Sequence, residues 1–500
     1  MSITGAGSIT AANIAAQNNM MNQLNTLAQQ LGSGQIAQTY SDLQDQAGVA
    51  LALTNQLSAI NGYSATASTV GTTLTVAQSV LSQLDGASNS IQQAVGGQGA
   101  FTLNGNGQTT TQADAATQLG NILSLLNTQV GANYIFSGSA LNQPSVASES
   151  DILNGNGAQA GLTQVISERQ QADQGTTGLG HLSATTSAAV VTLSQDGTPF
   201  GFQLTGVNSS LTGASVSGPT GSPPAITLDL TSSTVNNGDT VQFQLTLPDG
   251  STQTISLQAT TNSPPGANQF TIGATPTDTA TNLQAALTSA IGGLAQTALP
   301  AASAMAAAND FFGDPPQRVN GSPPDTSTAL VNGTSANTVF WYTGENSATP
   351  ARQTATAQVG PSMSINYGMR ANEQALTSLV ANVAVLAATT YSSSDPNAQG
   401  NYQALSQEVA ANLDGPQGTQ TIDDIAADLA SAQTTVSNAA TLNTQTQTTL
   451  QDMMQNIDGV NQNQIGEQIL TLQNTLSASM SVSARLAQLS LVNYLGPVSG

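Results

Sequence analysis

The residues able to carry chemistry in this sequence are few and isolated. His181, the one histidine, has no second histidine and no serine elbow in the surrounding Gly178–Leu182 segment. His181 therefore has no partner with which to form a histidine metal cluster or a nucleophile–base pair. A packing or surface role is the better interpretation of this residue. The chain has no cysteine, which excludes thiolate catalysis and cysteine-based zinc or iron–sulfur sites. We predict no catalytic, cofactor-binding or metal-binding residue, and no enzyme.

Three other local features have both a functional and a structural interpretation. Asp423, Asp424 and Asp428 could bind a cation, but they lack EF-hand spacing and more simply favour the N-terminal end of a helix. Trp341 could stack on a carbohydrate, although aromatic clusters in strands more often belong to a core, which we predict. The glycine-rich stretch 154–157 lacks the P-loop lysine, so it is a poor phosphate site.

The charge balance excludes two classes of partner. Twenty-seven acidic residues face five arginines and no lysine, a net charge of −22. Because phosphate neutralisation dominates nucleic-acid affinity, we predict no nucleic-acid partner. No run reaches the eighteen or so apolar residues that span a bilayer, so no membrane insertion is expected. The N-terminus lacks the basic and apolar regions of a Sec-type signal peptide.

The first part of the chain, residues 1 to about 138, has helical periodicity. Leu24, Leu27 and Leu31 are spaced by three and four and share one helix face. The predicted elements are a helix that stops at 32–34, a second helix over about 44–95, a hairpin-like turn over Gly99–Thr111 and a helix over Ala113–Ala132.

The middle of the chain, from about 140 to 360, is richer in proline, glycine and alternating β-type runs. Val241, Phe243 and Leu245 alternate with polar residues before a Pro248–Ser251 turn, which predicts a hairpin over Thr240–Thr260. The other predicted elements are a helix over Asp278–Leu299 and strands over Asn337–Tyr342, Ala351–Val359 and Ser362–Tyr367. This order predicts an α+β insert.

The C-terminal part returns to helical periodicity. We predict helices over Ala371–Thr390 and Gln399–Leu413, then a long heptad-patterned run over Ile422–Leu495 that Gly459 and Gly466 interrupt. The predicted fold class is mainly α with an α+β insert. Long N- and C-terminal helices form a coiled-coil bundle and a β-rich outer domain lies between them. The predicted domains are 1–140, 141–368 and 369–500.

The apolar rows at the two ends are the candidate functional residues. They lie in segments rich in Asn, Gln, Thr and Ala, with little charge to keep a long isolated helix soluble. We predict that these rows complete their packing against other copies of the chain, because end segments otherwise fray. The predicted assembly residues are Leu24, Leu27, Leu31, Ile469, Leu472, Leu476, Leu486 and Leu489.

Both ends also resemble one known family. Leu31–Gly34 followed by Ser41–Ala50, together with Ser481–Leu495 at the other end, is similar to the terminal motifs of bacterial flagellins and of their relatives, the hook-filament junction proteins. The resemblance covers about 1–140 and 370–500. The segment Ala132–Gly138 is similar to a motif commoner in the junction proteins, so the position within the organelle stays open.

The resemblance implies a structural subunit of the bacterial flagellum, a flagellin that assembles through its terminal helices into the extracellular filament used for swimming. The alternatives are a junction protein of the same family or, from another class, a secreted adhesin or glycan-binding protein that uses the insert. The implied partners are copies of the chain, other flagellar axial proteins and an export chaperone. Export would run through the flagellar secretion apparatus without a cleaved signal peptide, and no cofactor is implied.

Overall fold

The structure, a computed structural model, describes residues 4–37, 39, 43, 45–97, 101–415 and 418–494, with side chains between residues 11 and 485 of those ranges. Helices form both ends and sheets occupy the middle. The helices are α1 (Thr4–Ser33), α2 (Ala47–Gly96), α3 (Thr110–Leu126), α4 (Glu149–Asn154), α5 (Leu162–Gln174), α6 (Pro276–Gln296), α7 (Ala298–Phe312), α8 (Gln374–Ala388), α9 (Ala398–Leu413), α10 (Ile422–Asp458) and α11 (Gln462–Tyr494).

The strands are short, and most lie between α5 and α6. They are β1 (Gln129–Val130), β2 (Asn133–Tyr134), β3 (Leu182–Ser187), β4 (Val190–Gln195), β5 (Gln203–Ser209), β6 (Ser215–Thr220), β7 (Ala225–Asp229), β8 (Thr240–Thr246), β9 (Thr252–Thr260), β10 (Gln269–Thr271), β11 (Gln317–Val319), β12 (Leu330–Asn332), β13 (Thr356–Gly360) and β14 (Met363–Asn366). The predicted mixture of terminal helices and a sheet-containing middle is therefore present.

The chain forms two compact units that differ from the three predicted segments. Unit 1 comprises Met1–Gly71, Ala357–Ile365 and Thr434–Gly500, and unit 2 comprises Thr72–Thr356 and Asn366–Gln433. Helices α2 and α10 each contribute residues to both units. The boundaries differ because α8 and α9 pack against α7 of the predicted insert, and α3 packs against α8.

Unit 1 is built from helices and one hairpin. α1 packs against α11, and the first half of α2 packs against the end of α10 through a small core of Leu53, Ile60 and Leu450. Asn443 on α10 is 2% exposed and donates from Nδ2 to the Val359 carbonyl at 2.9 Å. This bond holds the β13–β14 hairpin on α10.

Unit 2 has its main core between two four-stranded sheets and α6. The strand orders are β3-β4-β7-β6 and β10-β9-β8-β5, with only the β9–β10 pair parallel. The predicted alternation in β8 is confirmed, since Val241, Phe243 and Leu245 are all fully buried. Leu283 and Leu287 of α6 join the same apolar cluster.

Local sequence signals explain where several elements begin. Thr275 and Asp278 form a reciprocal capping box with Pro276 in the first turn of α6. In the β8–β9 turn, Asp249 Oδ1 accepts from the Ser251 N–H at 2.9 Å, and Gly250 has φ 88°, a left-handed conformation that glycine adopts without steric cost. The predicted Thr240–Thr260 hairpin is confirmed.

Several predicted elements need correction. The helix predicted to Ala132 ends at Leu126, because the Asn127 carboxamide oxygen accepts from the Ser145 and Val146 N–H groups at 2.8 and 3.0 Å. The strand predicted over 337–342 contains only isolated bridges at Thr338 and Tyr342.

Two further corrections concern the segments that follow. The strand predicted over 351–359 begins as a 3₁₀ turn over Ala351–Thr354 and becomes extended in β13. The helix predicted over 278–299 is two helices, and α7 was missed because nearly all its residues are buried, so it has no polar face to produce a period.

The long C-terminal helix breaks at one of its two predicted glycines. Gly459 lies between α10 and α11, whereas Gly466 lies inside α11. A Cβ at position 459 would lie 2.3 Å from the Gln455 carbonyl oxygen, so only glycine fits this turn.

The core assignment predicts a clear difference between two leucine truncations in unit 2. Leu283→Ala should lower the free energy of unfolding by about 2–5 kcal/mol, because it leaves a cavity in a fully packed site. Leu141→Ala, at a position 36% exposed, should change it by less than about 0.5 kcal/mol. Urea unfolding followed by the fluorescence of Trp341, the one tryptophan, measures both, and equal losses would contradict the assigned core.

Candidate assembly surface

The two terminal helices lie antiparallel. Gln17 Nε2 on α1 donates to Ser483 Oγ on α11 at 3.0 Å, whereas Gln35, just after α1, pairs with Gly459, just before α11. Residue numbers thus rise along one helix as they fall along the other.

A short backbone clamp joins the ends of α1 and α10. The Ile36 N–H donates to the Asp458 carbonyl at 2.6 Å, and the Val460 N–H donates to the Gly34 carbonyl at 3.2 Å. Ala37 N–H also donates to Asp458 Oδ1 at 3.3 Å. The sequence pattern did not predict this clamp, because nothing in the composition of these loops indicates pairing over more than 400 residues of chain.

Half-buried side chains form one row on each terminal helix, which we call the inner row. In both helices the row follows steps of three and four, the spacing that keeps residues on one helix face. Its members are Asn13, Gln17, Met20, Leu24, Leu27 and Gln30 on α1, and Ile465, Ile469, Leu472, Leu476, Ser479 and Ser483 on α11. Over residues 11–33 and 462–485, no side chain is fully buried.

The predicted assembly residues divide between this row and its surroundings. Leu24, Leu27, Ile469, Leu472 and Leu476 belong to the inner row. Leu31 lies outside it and is 38% exposed. Leu486 and Leu489 lie within α11, but their side chains fall outside the described residues.

A second apolar row lies beside the first, which we call the apolar flank. It consists of Ile14, Met21, Leu31, Leu470 and Met480, each 38% to 62% exposed. Each follows an inner-row residue by one position, a rotation of about 100° around the helix axis. Because α1 and α11 are antiparallel, the same rotation on both helices places both sets on the same side of the pair. Of these five residues, the sequence pattern predicted only Leu31 as an assembly residue. The other four are recognised only once the orientation of the two helices is known.

The opposite side of the helix pair is polar. A groove of about 780 Å³ there is lined largely by amide and hydroxyl side chains, among them Asn22, Gln23, Thr26, Gln468 and Thr471. Several of these precede an inner-row residue by one position, so they rotate away from the apolar flank. Apart from Val482, which is 54% exposed and precedes the inner-row Ser483, the helix pair therefore has one apolar and one amide-rich side.

Exposed apolar side chains concentrate in unit 1. Of thirteen exposed large apolar residues among the described positions, only Leu141 and Val331 lie in unit 2. Charge is also sparse in unit 1, because α1 contains no charged residue and α11 contains only Glu467 and Arg485. Apolar patches with little charge around them are typical of protein–protein contacts.

His181 is held in place by both ring nitrogens. Nδ1 lies 2.5 Å from Asp196 Oδ2 and Nε2 lies 2.5 Å from the Ala172 carbonyl oxygen. Partial burial raises the pKa of Asp196, but hydrogen bonds from His181 and Thr198 outweigh it, and the net shift is downward. With both nitrogens engaged, His181 links the last turns of α5 to the turn after β4, as the packing interpretation predicts.

The acidic cluster and the tryptophan also have structural roles. Asp424 caps α10, since the Thr421 N–H and hydroxyl both donate to Asp424 Oδ2 at 2.8 Å and lower the pKa of this carboxyl. Within the described residues no group of acids or histidines could hold a metal ion. Trp341 is 3% exposed and donates from Nε1 to the Phe312 carbonyl at 3.1 Å, so it belongs to a core, as predicted.

No protein-family model matches this sequence, and no curated protein matches it either. Among the described residues, none of the helices combines the length and the apolarity that crossing a membrane requires.

The inner row and the apolar flank predict different outcomes for the same substitution. Leu476→Asp places a carboxylate between α1 and α11 and should weaken their packing by about 1–2 kcal/mol. Leu470→Asp, at a site 62% exposed, should leave the packing unchanged. Hydrogen exchange of α1 amides in dilute monomer is the measurement, with a roughly tenfold faster exchange expected only for Leu476→Asp. Equal exchange in both variants would remove Leu476 from the helix contact.

Proposed function

We propose that this chain is a structural subunit of the bacterial flagellum that assembles through unit 1 into the extracellular filament. The observation that carries the proposal is the surface of the terminal helix pair: an inner row that is only half-buried lies beside an exposed apolar flank. The contact between α1 and α11 leaves these rows partly exposed to water. A further copy of the chain would cover them.

The terminal motifs support the flagellar context. The residues similar to the flagellin ends, Leu31–Gly34 and Ser481–Leu495, lie at the end of α1 and in the last part of the chain. In the proposal, these helices form a coiled-coil bundle with those of neighbouring copies. Unit 2 contains the insert, and in the proposal it is the solvent-facing domain.

The hook-filament junction protein is the second candidate. Its support is the Ala132–Gly138 motif, in which Ile135, Phe136 and Ser137 are buried in unit 2. Both candidates would use the same assembly surface, so they differ in copy number and not in mechanism. Counting subunits per flagellum by quantitative mass spectrometry separates them.

The decisive experiment targets the apolar flank. The double variant Leu470→Asp/Met480→Asp should lose polymerisation, because two desolvated carboxylates at a contact between copies cost several kcal/mol. The α1–α11 packing should persist, since neither residue is in the inner row. Electron microscopy of the purified chain under polymerising conditions is the measurement.

The matched control lies on the polar side of the same helix. Gln464→Asp/Gln468→Asp adds the same two charges at exposed positions of the amide-lined groove and should polymerise normally. Loss of filaments in both variants would show that added charge alone blocks assembly. Normal filaments from the flank variant would rule out the flank as a contact.

Removal of a terminal helix should separate assembly from the fold of unit 2. A chain without residues 1–35 should stay monomeric, because the inner row of α11 then has no partner. Its Trp341 emission should match that of the full chain, since Trp341 and its neighbours lie in unit 2. Sedimentation velocity and fluorescence measure the two properties, and filaments formed without α1 would contradict the proposal.

A further inference from the structure

A cleft of about 450 Å³ in unit 2 lies where the end of α7, the loop around Trp341 and the start of α8 come together. Aromatic side chains make up part of its lining. Trp341 stacks edge-on against Phe312 with ring centroids 5.3 Å apart, and the half-buried Phe340 and Tyr342 line the cleft beside it. The volume and aromatic lining are those of a small-molecule site.

Polar side chains that make no hydrogen bond to another described residue also line the cleft. Asn309, Asn372, Gln374 and Thr377 line the cleft, and none makes a side-chain hydrogen bond to another residue that the structure describes. Each carboxamide offers two donors and an acceptor, and the threonine hydroxyl offers one donor and accepts as well. Such a set complements a ligand whose own groups both donate and accept, as hydroxyl groups do.

The electrostatics of the cleft select against anions. Asp314 is the one carboxylate among the lining residues, and no arginine or histidine is among them. Asp314 Oδ2 accepts from Asn346 Nδ2 at 2.6 Å, while burial raises the pKa of the Tyr342 phenol and keeps it neutral. A phosphate, sulfate or uronate would meet negative charge without a cation to balance it.

We propose that this cleft binds a neutral saccharide, a role that goes beyond assembly and does not depend on it. The rings of Phe340 and Tyr342 would cover the apolar C–H face of a sugar ring. The carboxamides of Asn309, Asn372 and Gln374 would bond its hydroxyl groups. Trp341 stays in the core and borders the site.

The position of Trp341 makes the test direct, since it is the only tryptophan in the chain. Maltotriose, cellotriose and N,N′-diacetylchitobiose are titrated separately into the full-length protein, with Trp341 emission and calorimetric heat as readouts. The expected result is a saturable change in both signals with at least one of the three sugars. Absence of any response to all three overturns the proposal, and so does a saturable response to the neutral peptide Gly-Asn-Gly alone.

Two double variants identify the cleft as the site. Asn309→Ala/Gln374→Ala removes two exposed, unpaired amides and should weaken sugar binding about tenfold, the loss of two neutral hydrogen bonds. The matched control, Asn208→Ala/Gln242→Ala, removes the same two side-chain types from exposed positions that lie opposite each other on strands β5 and β8. This variant should bind the sugar normally. Equal affinity in both variants overturns the site. Filament formation is scored in parallel, so a failure of assembly is distinguished from a failure of binding.

Discussion

The antiparallel contact between α1 and α11 determines what unit 1 can present to another molecule. Five of the six large apolar residues exposed on the described parts of the two helices come one position after an inner-row residue, as Ile14 follows Asn13 and Leu470 follows Ile469, and Val482 is the exception. In an antiparallel pair these equal offsets fall on one side, whereas a parallel pair would place them on opposite sides. The Gln17–Ser483 bond and the pairing of Gln35 with Gly459 therefore fix a single apolar surface.

The small number of basic residues is a second constraint on the structure. The two units differ in how their charged residues are distributed. Unit 2 contains four of the five arginines, and Arg169, Arg318, Arg352 and Arg370 each pair with an acidic residue of the same unit. Unit 1 contains five acidic residues and Arg485, a net charge of −4 out of the total of −22. The Coulomb repulsion between two copies that meet through unit 1 would therefore be much weaker than the net charge of the whole chain suggests.

Periodicity predicted the elements whose environment is one-sided. The alternation in β8 and the three-four spacing of α6 each reflect one buried and one exposed face, and both elements lie where they were expected. Helix α7 is buried all round and had no such signal. Helix α5 does have one buried face, but it was not recognised because Arg169 and Asp173 lie among the apolar residues of that face. The inner-row residues Leu24 and Leu472 were predicted, whereas Met21 and Met480 depend on a helix orientation that a local pattern does not encode.

The half-burial of the inner row has a simple geometric cause. Leu53, Ile60 and Leu450, where α2 and α10 pack within unit 1, are only 5% to 7% exposed, so this contact excludes water from its central side chains. α1 and α11 have only each other along residues 11–33 and 462–485, and a helix covers one side of its neighbour. If the proposed function is correct, the apolar rows of the terminal helices are fully buried only when another copy of the chain packs against them. Assembly would then stabilise both terminal helices, so the order of the two ends would be coupled to assembly.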